Sequence, residues 1–276
     1  KVLLLSGHKG SGKSTLINHF LMSVFDEKKY DSKNCIISKD SSLYNQYKKD
    51  IFSNIIYIKG SDYRTVKVDD IRNLKTKFFQ STILNKNRFI VLDDVELFNT
   101  NSLNALLKII EEPTKNNYFF LINNKSRPLL DTIKSRSLEI KIILSEINRL
   151  EIISNLIKFL EIETVLDAKK SGLTPGNFIK FNYIFNEHGV SFKNDFIQNI
   201  TLLLSLYKKS KDILLINIAF FLTDYYFNGL LNEKKISIER FNEIKNFIFN
   251  NLNNFLLYNI NQNTLINAVN TKLKNE

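Results

Sequence analysis

The sequence predicts an α/β protein with a parallel sheet in its first half and helices in its second half. Up to about residue 144, short apolar runs alternate with segments of helical period, which is the pattern of strands joined by crossover helices. After that point no strand-like alternation recurs, and the apolar residues return with the period of helices. The predicted strands are residues 2–6, 55–59, 89–92, 118–122 and 138–142.

Three segments between these strands are predicted to be helices, namely residues 15–25, 68–80 and 101–110. The first carries Leu16, Phe20 and Val24 at spacings of four, which indicates an apolar face. The third ends before Pro113, as the restriction on residues that precede proline requires. Residues 26–54 are polar, with turn-forming residues and weak patterning, so we expect a loop-rich connection there.

The second half of the sequence divides into two helical blocks, residues 145–187 and 192–274. The first block contains a turn at residues 172–176, which read Gly-Leu-Thr-Pro-Gly. The longest apolar run, residues 213–222, is shorter than a membrane span and is interrupted by Asn217. We therefore expect it to be a helix of the protein core.

Composition limits the class of protein. With 276 residues and 43% apolar content, the chain can bury a sizeable core in two or three domains. The net charge of +11 fits a polyanionic partner such as nucleic acid, although the abundance of Lys, Asn and Ile is equally consistent with compositional bias. The single cysteine, Cys35, excludes an internal disulfide and indicates the cytoplasm. Residues 1–6 lead directly into a glycine loop, which indicates a strand rather than a signal peptide.

Residues 7–14 read Gly-His-Lys-Gly-Ser-Gly-Lys-Ser and fit the phosphate-loop pattern in full, between a predicted strand and a predicted helix. Glycines let backbone N–H groups converge on an anion, and the helix N-terminus adds its positive end. The pattern assigns Lys13 to the β- and γ-phosphates of ATP and the Ser14 hydroxyl to Mg²⁺. The residues predicted to bind the nucleotide here are Gly7, Gly10, Gly12, Lys13, Ser14 and Thr15.

Two aspartates follow the predicted strand 89–92 and supply the acidic half of such a site. Asp93, at the strand end, is predicted to hold Mg²⁺ through water. Asp94 stands where a glutamate commonly orients the attacking water, and its side chain is one methylene shorter. Because about 1 Å of misplacement can cost on the order of a hundredfold in rate, we expect ATP binding with weak or no intrinsic hydrolysis.

Further motifs occur in an order and spacing that resemble one protein family. They are Val68-Asp69-x-Ile71-Arg72, Leu92-Asp93-Asp94, Asn104-Ala105-Leu106-Leu107-Lys108 with Glu111-Glu112-Pro113, and Thr132-Ile133-x-Ser135-Arg136. Together with the glycine loop, they are similar to the AAA+ subunits of the bacterial DNA polymerase III clamp loader. Among these subunits the resemblance is greatest to the delta-prime type, and it covers residues 2–142.

The resemblance implies a role for Arg136, because this family projects the arginine of its Ser-Arg motif into the ATP site of a neighbouring subunit. A planar, permanently charged guanidinium suits the charge that develops on γ-phosphate oxygens. Asn123 or Asn124, at the end of a predicted strand, falls where a polar sensor of the γ-phosphate would lie. The sequence does not decide between the two asparagines.

The resemblance also implies the architecture and the partners. We expect a RecA-like AAA+ module at residues 1–144, a small helical lid at 145–190 and an all-helical C-terminal collar domain at 191–276. The implied partners are the motor and delta-like subunits of the clamp loader, the sliding clamp, and primed DNA contacted through its phosphates, with no membrane. The implied function is to help the ATP-dependent loading of the sliding clamp onto that DNA in replication.

Departures from the family pattern favour delta-prime over the motor subunits. Motor subunits carry zinc-binding cysteines and a lid arginine, but this sequence lacks the cysteines and holds no arginine in the turn 172–176. Two alternatives stay open. The first is an active motor ATPase of a clamp loader or a related AAA+ DNA-processing complex. The second, less favoured, is a stand-alone P-loop kinase, for which no acceptor pocket is visible and the helical second half has no explanation.

Overall fold

The computed structural model describes most of the chain, in two compact units. The described residues are 1–38, 40–49, 51–60, 69, 71, 73, 87–111, 116–192 and 194–274. The first unit comprises Lys1–Ile152 with Thr174–Asn177, and the second comprises Ile153–Leu173 with Phe178–Glu276. The finer division of the helical half into a lid at 145–190 and a collar at 191–276 stays a prediction.

A five-stranded parallel sheet lies at the centre of the first unit, as predicted. The strands of the chain are β1 (Val2–Ser6), β2 (Tyr30–Asp31), β3 (Ile36–Ile37), β4 (Ile55–Lys59), β5 (Arg88–Asp93), β6 (Asn117–Asn123) and β7 (Leu138–Lys141). The sheet has the order β4-β5-β6-β1-β7, and β2 and β3 form a separate antiparallel pair. Because parallel strands end at a common edge, the segments that follow β1, β5 and β6 meet there.

Alternation along the strands builds an apolar core on each face of this sheet. The helices of the unit are α1 (Lys13–Phe25), α2 (Ser42–Lys48), α3 (Thr100–Glu111) and α4 (Asp131–Ser135). Leu4 and Ile90 pack on the face covered by α3 and α4, and Leu5 and Val91 pack on the face covered by α1. Full burial of each such side chain contributes about 1.5–3 kcal/mol. Strand β1, which lies between β6 and β7, is therefore packed against apolar residues on both faces.

Helix α1 is confirmed, but its buried face differs from the predicted one. Leu16, Phe20 and Val24 are 52%, 43% and 41% exposed, whereas Ile17 and Leu21 are buried. The glycine loop fixes the rotation of this helix, because it requires the first helical residue, Lys13, to point into the loop. Ile17 and Leu21 follow Lys13 at spacings of four and so share its face.

Residues 26–54 are more regular than the predicted loop-rich connection. They hold the β2–β3 pair and α2, whose first turn is capped by Ser41, with the Tyr44 N–H donating to Ser41 Oγ at 2.9 Å. Tyr44 and Tyr47 pack against the core on the α1 side of the sheet, and the Tyr47 hydroxyl donates to Asn18 at 2.8 Å. Contacts distant in sequence stabilise these short elements, which explains their weak periodicity.

Two predicted features fall largely outside the described residues. Of the predicted helix 68–80, the structure describes residues 69, 71 and 73, which are helical, and Ile71 is fully buried in the core on the α3 side. Glu112 and Pro113, which were expected to end α3, lie outside the described residues.

The helical second half is confirmed. Its helices are α5 (Glu146–Leu160), α6 (Ala168–Ser171), α7 (Pro175–His188), α8 (Phe196–Ser210), α9 (Ile213–Asn232), α10 (Ile238–Tyr258) and α11 (Gln262–Lys274). Side chains of Asp195, Asp212 and Ser237 cap α8, α9 and α10 by accepting from N–H groups of the first turns. Buried apolar residues from Ile153 to Val269 form one continuous core.

Helix α9 is long and apolar enough to span a membrane by length and composition alone. Its residues Leu215, Ile218 and Leu222 are buried in the core of the second unit. This packing agrees with the prediction of a core helix.

Candidate functional site

The glycine loop connects β1 to α1 in a conformation that depends on its glycines. Gly10 and Gly12 have φ values of +84° and +92°, which lie in the left-handed region that other residues rarely adopt. Gly7 has no space for a side chain, because a Cβ there would lie 2.6 Å from the carbonyl oxygen of Ile142. The Gly7 N–H donates to the Asn123 carbonyl at 3.1 Å, which anchors the loop beside the end of β6.

Lys13 is 3% exposed and folds back onto this loop. Its Nζ donates to the carbonyl oxygens of Gly7 and His8 at 2.7 and 2.8 Å. Burial lowers the pKa of Lys13 from 10.5 to about 8, against the opposing attraction of Asp93, Glu96 and Asp94. The loop thus carries a buried cation at the start of a helix, which is the arrangement that binds phosphate.

The Asp93 carboxylate accepts hydrogen bonds from three side chains that belong to different elements. Its Oδ2 accepts from the Tyr57 hydroxyl at 2.6 Å and from the Ser14 hydroxyl at 3.4 Å. Its Oδ1 accepts from Asn124 Nδ2 at 3.1 Å. Burial and the neighbouring carboxylate raise the pKa of Tyr57, so the phenol stays protonated and donates. The predicted pair of magnesium ligands, Ser14 and Asp93, is therefore brought together, and both supply the oxygen atoms that Mg²⁺ prefers.

The Asp94 carboxylate is committed to contacts within the protein. Its side chain is 2% exposed and lies 3.3 Å from Lys9 Nζ in a salt bridge. It also accepts from Asn124 Nδ2 at 2.7 Å. The backbone of Asp94 has a φ of +52°, which is uncommon for a residue with a side chain. This geometry holds the carboxylate between a cation and an amide.

The structure distinguishes between Asn123 and Asn124, the two candidates for the polar sensor of the γ-phosphate. Asn124 donates to both Asp93 and Asp94, whereas Asn123 Nδ2 lies 3.5 Å from the Ser6 hydroxyl. Asn124 is therefore the one that reaches the acidic pair. This choice depends on the direction in which the chain turns after β6, which the sequence pattern does not encode.

Two further residues shape the site but were not predicted. Tyr57, in the middle of β4, donates its hydroxyl to Asp93. Glu96 is 4% exposed, and its carboxylate accepts from the Asn124 N–H at 3.1 Å and from the Ser126 hydroxyl at 2.7 Å. Glu96 thereby fixes the loop that follows β6. The sequence offers for Tyr57 only its place within a predicted strand, and for Glu96 only its place shortly after one.

The segment Thr174–Asn177 lies directly on the glycine loop. The Gly176 N–H donates to the Gly10 carbonyl at 2.9 Å, and the Thr174 hydroxyl donates to the Lys9 carbonyl at 2.6 Å. A Cβ at Gly10 would lie 2.5 Å from Thr174 Oγ1, so the two segments are in close contact. We call Thr174–Asn177 the strap. The turn that was predicted at residues 172–176 thus contributes to the site through the Gly176 backbone and the Thr174 hydroxyl.

Thr15 and Arg136 lie apart from the acidic cluster. Thr15 is exposed and borders a groove of about 420 Å³ that His19, Phe20 and Tyr30 also line. Arg136 follows α4, and its Nε donates to Glu111 Oε1 at 2.7 Å. In the part of the chain that the structure describes, Arg136 hydrogen-bonds to no residue of the glycine loop.

The fold and the site define an AAA+ module: a parallel sheet of the order β4-β5-β6-β1-β7, a glycine loop after β1, and an acidic pair at the end of β5. Residues 1–145 match the family model described as "DNA polymerase III, delta subunit", and the chain belongs to this family. The match covers the sheet and its helices together with the glycine loop.

Curated relatives come from the same polymerase assembly. The chain is 28% identical over 138 residues to the DNA polymerase III subunit delta' of Buchnera aphidicola subsp. Baizongia pistaciae, which is 49% of this chain and 41% of that protein. It is 29% identical over 223 residues to the DNA polymerase III subunit gamma of Buchnera aphidicola subsp. Acyrthosiphon pisum, which is 77% of this chain and 58% of that protein. The chain thus spans less than two thirds of either relative.

Among solved structures, a DNA polymerase III gamma subunit-related protein of Thermotoga maritima is similar in fold. The match covers 98% of this chain and 93% of that protein's chain, with a TM-score of 0.48 and 18% identity. The match to the RuvB Holliday junction branch migration motor of Thermotoga maritima covers 68% of this chain and 54% of the RuvB chain, with a TM-score of 0.41 and 18% identity.

Proposed function

We propose that this chain is a delta-prime-like subunit of a DNA polymerase III clamp loader. It assembles with motor and delta-like subunits in the cytoplasm and helps the ATP-dependent loading of the sliding clamp onto primed DNA. The family match over residues 1–145 supports the assembly. Its AAA+ module would carry the nucleotide site, and the helical lid and collar at 145–190 and 191–276 would supply contacts to other subunits.

The arrangement of the glycine loop supports the binding of ATP with Mg²⁺. Backbone N–H groups of the loop and Lys13 would hold the phosphates, and Thr15 follows at the start of α1. Ser14 and Asp93, whose side-chain oxygens lie 3.4 Å apart, would hold the magnesium ion. When bound, the nucleotide supplies a γ-phosphate whose negative charge the site residues must balance. Asn124 is placed to sense that phosphate, since it already bridges the two acids.

The position of Asp94 is the observation that favours weak intrinsic hydrolysis. A general base must be able to reach the proton of the attacking water. The Asp94 carboxylate is instead buried between Lys9 and Asn124, and it is one methylene shorter than a glutamate. We therefore propose that the chain binds ATP and turns it over poorly by itself.

Arg136 would act on the ATP site of a neighbouring subunit. Its side chain is 41% exposed; it pairs with the exposed carboxylate of Glu111 and donates to the Thr132 carbonyl and the Ser135 hydroxyl. An exposed ion pair of this kind is weak and easily exchanged for a stronger anionic partner. A guanidinium freed from Glu111 could therefore contact a γ-phosphate that another subunit binds.

An active motor subunit is the second candidate, because the gamma subunit of Buchnera aphidicola subsp. Acyrthosiphon pisum matches a longer stretch of the chain than the delta' relative does. The two proposals differ in the turnover expected from the chain alone. Equilibrium ATP binding and steady-state hydrolysis should therefore be measured with the purified chain and with partner subunits from the same organism, and clamp loading should be measured with and without the chain.

Three results of this experiment decide between the candidates. Binding without turnover by the chain, together with clamp loading that depends on adding it to the other subunits, would support the delta-prime-like role. Robust hydrolysis by the chain alone would favour the motor subunit. Normal clamp loading in a complex that lacks the chain would contradict both proposals.

A further inference from the structure

A basic pocket of about 610 Å³ lies beside the loop that follows β6. Its lining residues are Asn123, Lys125, Ser126, Arg127, Pro128, Leu129, Lys134, Glu139 and Lys141. Four of these side chains are cationic and one is acidic, so the pocket carries an excess of positive charge. Its volume is within the usual range of ligand sites.

The positive charge of this pocket is largely unbalanced by the protein. Lys134 pairs with the exposed carboxylate of Asp131, which screens it weakly. Within the described ranges of the chain, no salt bridge joins Lys125, Arg127 or Lys141 to an acidic residue. All three side chains are exposed and accessible to a ligand from solvent.

The loop that carries two of these cations is rigidly held. The buried carboxylate of Glu96 accepts from the N–H and the hydroxyl of Ser126, on the residue between Lys125 and Arg127. Lys125 itself has a φ of +58°, and its N–H donates to Asn123 Oδ1 at 2.9 Å. Strained, well-anchored backbone of this kind concentrates at functional sites. The cations are thus pre-positioned, which lowers the entropy cost of binding a ligand.

The lining indicates which part of a ligand the pocket recognises. Among the described residues that line it, none has an aromatic side chain on which a base could stack. Its cationic side chains are hydrogen-bond donors that match phosphate oxygens.

We propose that this pocket binds the backbone phosphates of a nucleic-acid strand, at a second phosphate site distinct from the glycine loop. The proposal deepens the proposed function, on which it rests for the identity of the strand as DNA. Recognition is through phosphate alone, so the site does not discriminate between bases. A free nucleotide carries phosphates of the same chemistry. The test therefore measures the binding of strands, of inorganic phosphate and of ATP separately.

The test uses the full chain with Arg127 and Lys141 both changed to glutamine. These two are chosen because Lys125 interacts with Lys13 and Lys134 has an ion-pair partner. The matched control changes Lys28 and Lys29 to glutamine, which removes the same charge from two exposed positions outside the pocket. Binding of short oligo-dT and oligo-dA strands is measured over a range of salt concentrations, with inorganic phosphate as a separate ligand.

The expected result is a loss of affinity of about tenfold for both strands at physiological salt, with a salt slope smaller by about 1.4, or 0.7 for each lost contact. The control pair should change affinity by much less. Equal effects of the two pairs would overturn the proposal. So would weaker binding of inorganic phosphate with unchanged binding of the strands, because the ligand would then be an isolated phosphate.

Two additional readouts separate this proposal from the proposed function. ATP binding by the Arg127→Gln/Lys141→Gln variant should match that of the wild type, which verifies folding and shows that the pocket is distinct from the glycine loop. If clamp loading depends on the chain but the variant binds strands normally, the pocket proposal fails and the proposed function survives. If the variant loses strand binding but clamp loading never requires the chain, the proposed function fails and the pocket proposal survives.

Discussion

The backbone N–H of Gly176 donates to the carbonyl oxygen of Gly10 at 2.9 Å, so the strap rests on the glycine loop without an intervening side chain. Both residues must be glycines for this contact. A Cβ at Gly176 would lie 2.9 Å from the Cα and from the carbonyl oxygen of Gly10. The contact therefore links two segments that are far apart in sequence, and it contributes to the shape of the loop.

We expect Gly176→Ala to lower the stability of the protein by about 1–3 kcal/mol, because the added methyl group overpacks a backbone contact and removes its hydrogen bond. Thermal denaturation of the purified chain measures this loss. Gly229→Ala is the matched control, since a Cβ at Gly229 in α9 meets no atom within 4 Å. The control should instead stabilise its helix by about 0.5–1 kcal/mol. Equal melting temperatures of the two variants would contradict a close contact at Gly176.

The sheet could be predicted because its strands are short apolar runs between turn-forming residues. Predicted strand 2–6 coincides with β1, and predicted strand 118–122 lies within β6. The glycine loop could be predicted because its pattern is local and requires no distant contact. The residues at the ends of β5 and β6 could be predicted to lie beside this loop, because parallel strands end at a common edge of the sheet.

Features that depend on distant contacts could not be predicted. The rotation of α1, which buries Ile17 rather than Leu16, follows from the attachment of Lys13 to its loop. The contacts of Tyr57 with Asp93 and of Glu96 with the loop after β6 join different strands. No periodicity marks such residues, because each acts through a single polar contact rather than through a repeated face.

The lowered pKa of Lys13 gives nucleotide binding a distinctive pH dependence. Phosphate should bind the protonated lysine, whose pKa in the free protein is about 8. Affinity for ATP is therefore expected to fall by about tenfold between pH 7 and pH 9, as the protonated fraction falls from about 0.9 to about 0.1. Equilibrium binding across this range measures the effect.

Lys13→Arg is the control for this prediction, because arginine stays protonated and retains only the titration of the nucleotide itself. The same fall in affinity in both proteins would show that Lys13 does not titrate in this range. The folding stability should change in the opposite direction. A lysine whose pKa is lowered in the folded state makes stability rise as the pH rises between about 8 and 10.5.

Asn124 and Asn123 should differ in their effects on the acidic pair. Asn124→Ala removes the amide that donates to both Asp93 and Asp94, which leaves two buried carboxylates without that donor. We expect a loss of about 1–3 kcal/mol in stability and weaker magnesium-dependent binding of ATP. Asn123→Ala is the matched control, since its amide contacts Ser6 and the Lys125 N–H and, within the described part of the chain, makes no hydrogen bond to Asp93 or Asp94. A larger loss of magnesium-dependent binding in the Asn123 variant would reverse the assignment of the sensor.

The pair formed by Arg136 and Glu111 allows the role of the arginine to be tested by two substitutions with different outcomes. Both side chains are substantially exposed, so neither substitution should change the melting temperature noticeably. If Arg136 completes the ATP site of a neighbour, Arg136→Ala should reduce the ATPase rate of the reconstituted complex by about 10³-fold or more. Glu111→Gln releases the guanidinium from its partner and should leave that rate unchanged or raise it.

Complex assembly is measured by gel filtration in parallel, because a loss of subunit contacts would also lower the rate. Arg136→Lys adds a further distinction, since lysine keeps the charge but lacks the planar fork that binds phosphate in two places. We expect the lysine variant to assemble normally and to recover little activity. Full ATPase activity in an assembled complex that carries Arg136→Ala would exclude the trans-acting role, and Glu111 would then be the partner of an ordinary surface arginine.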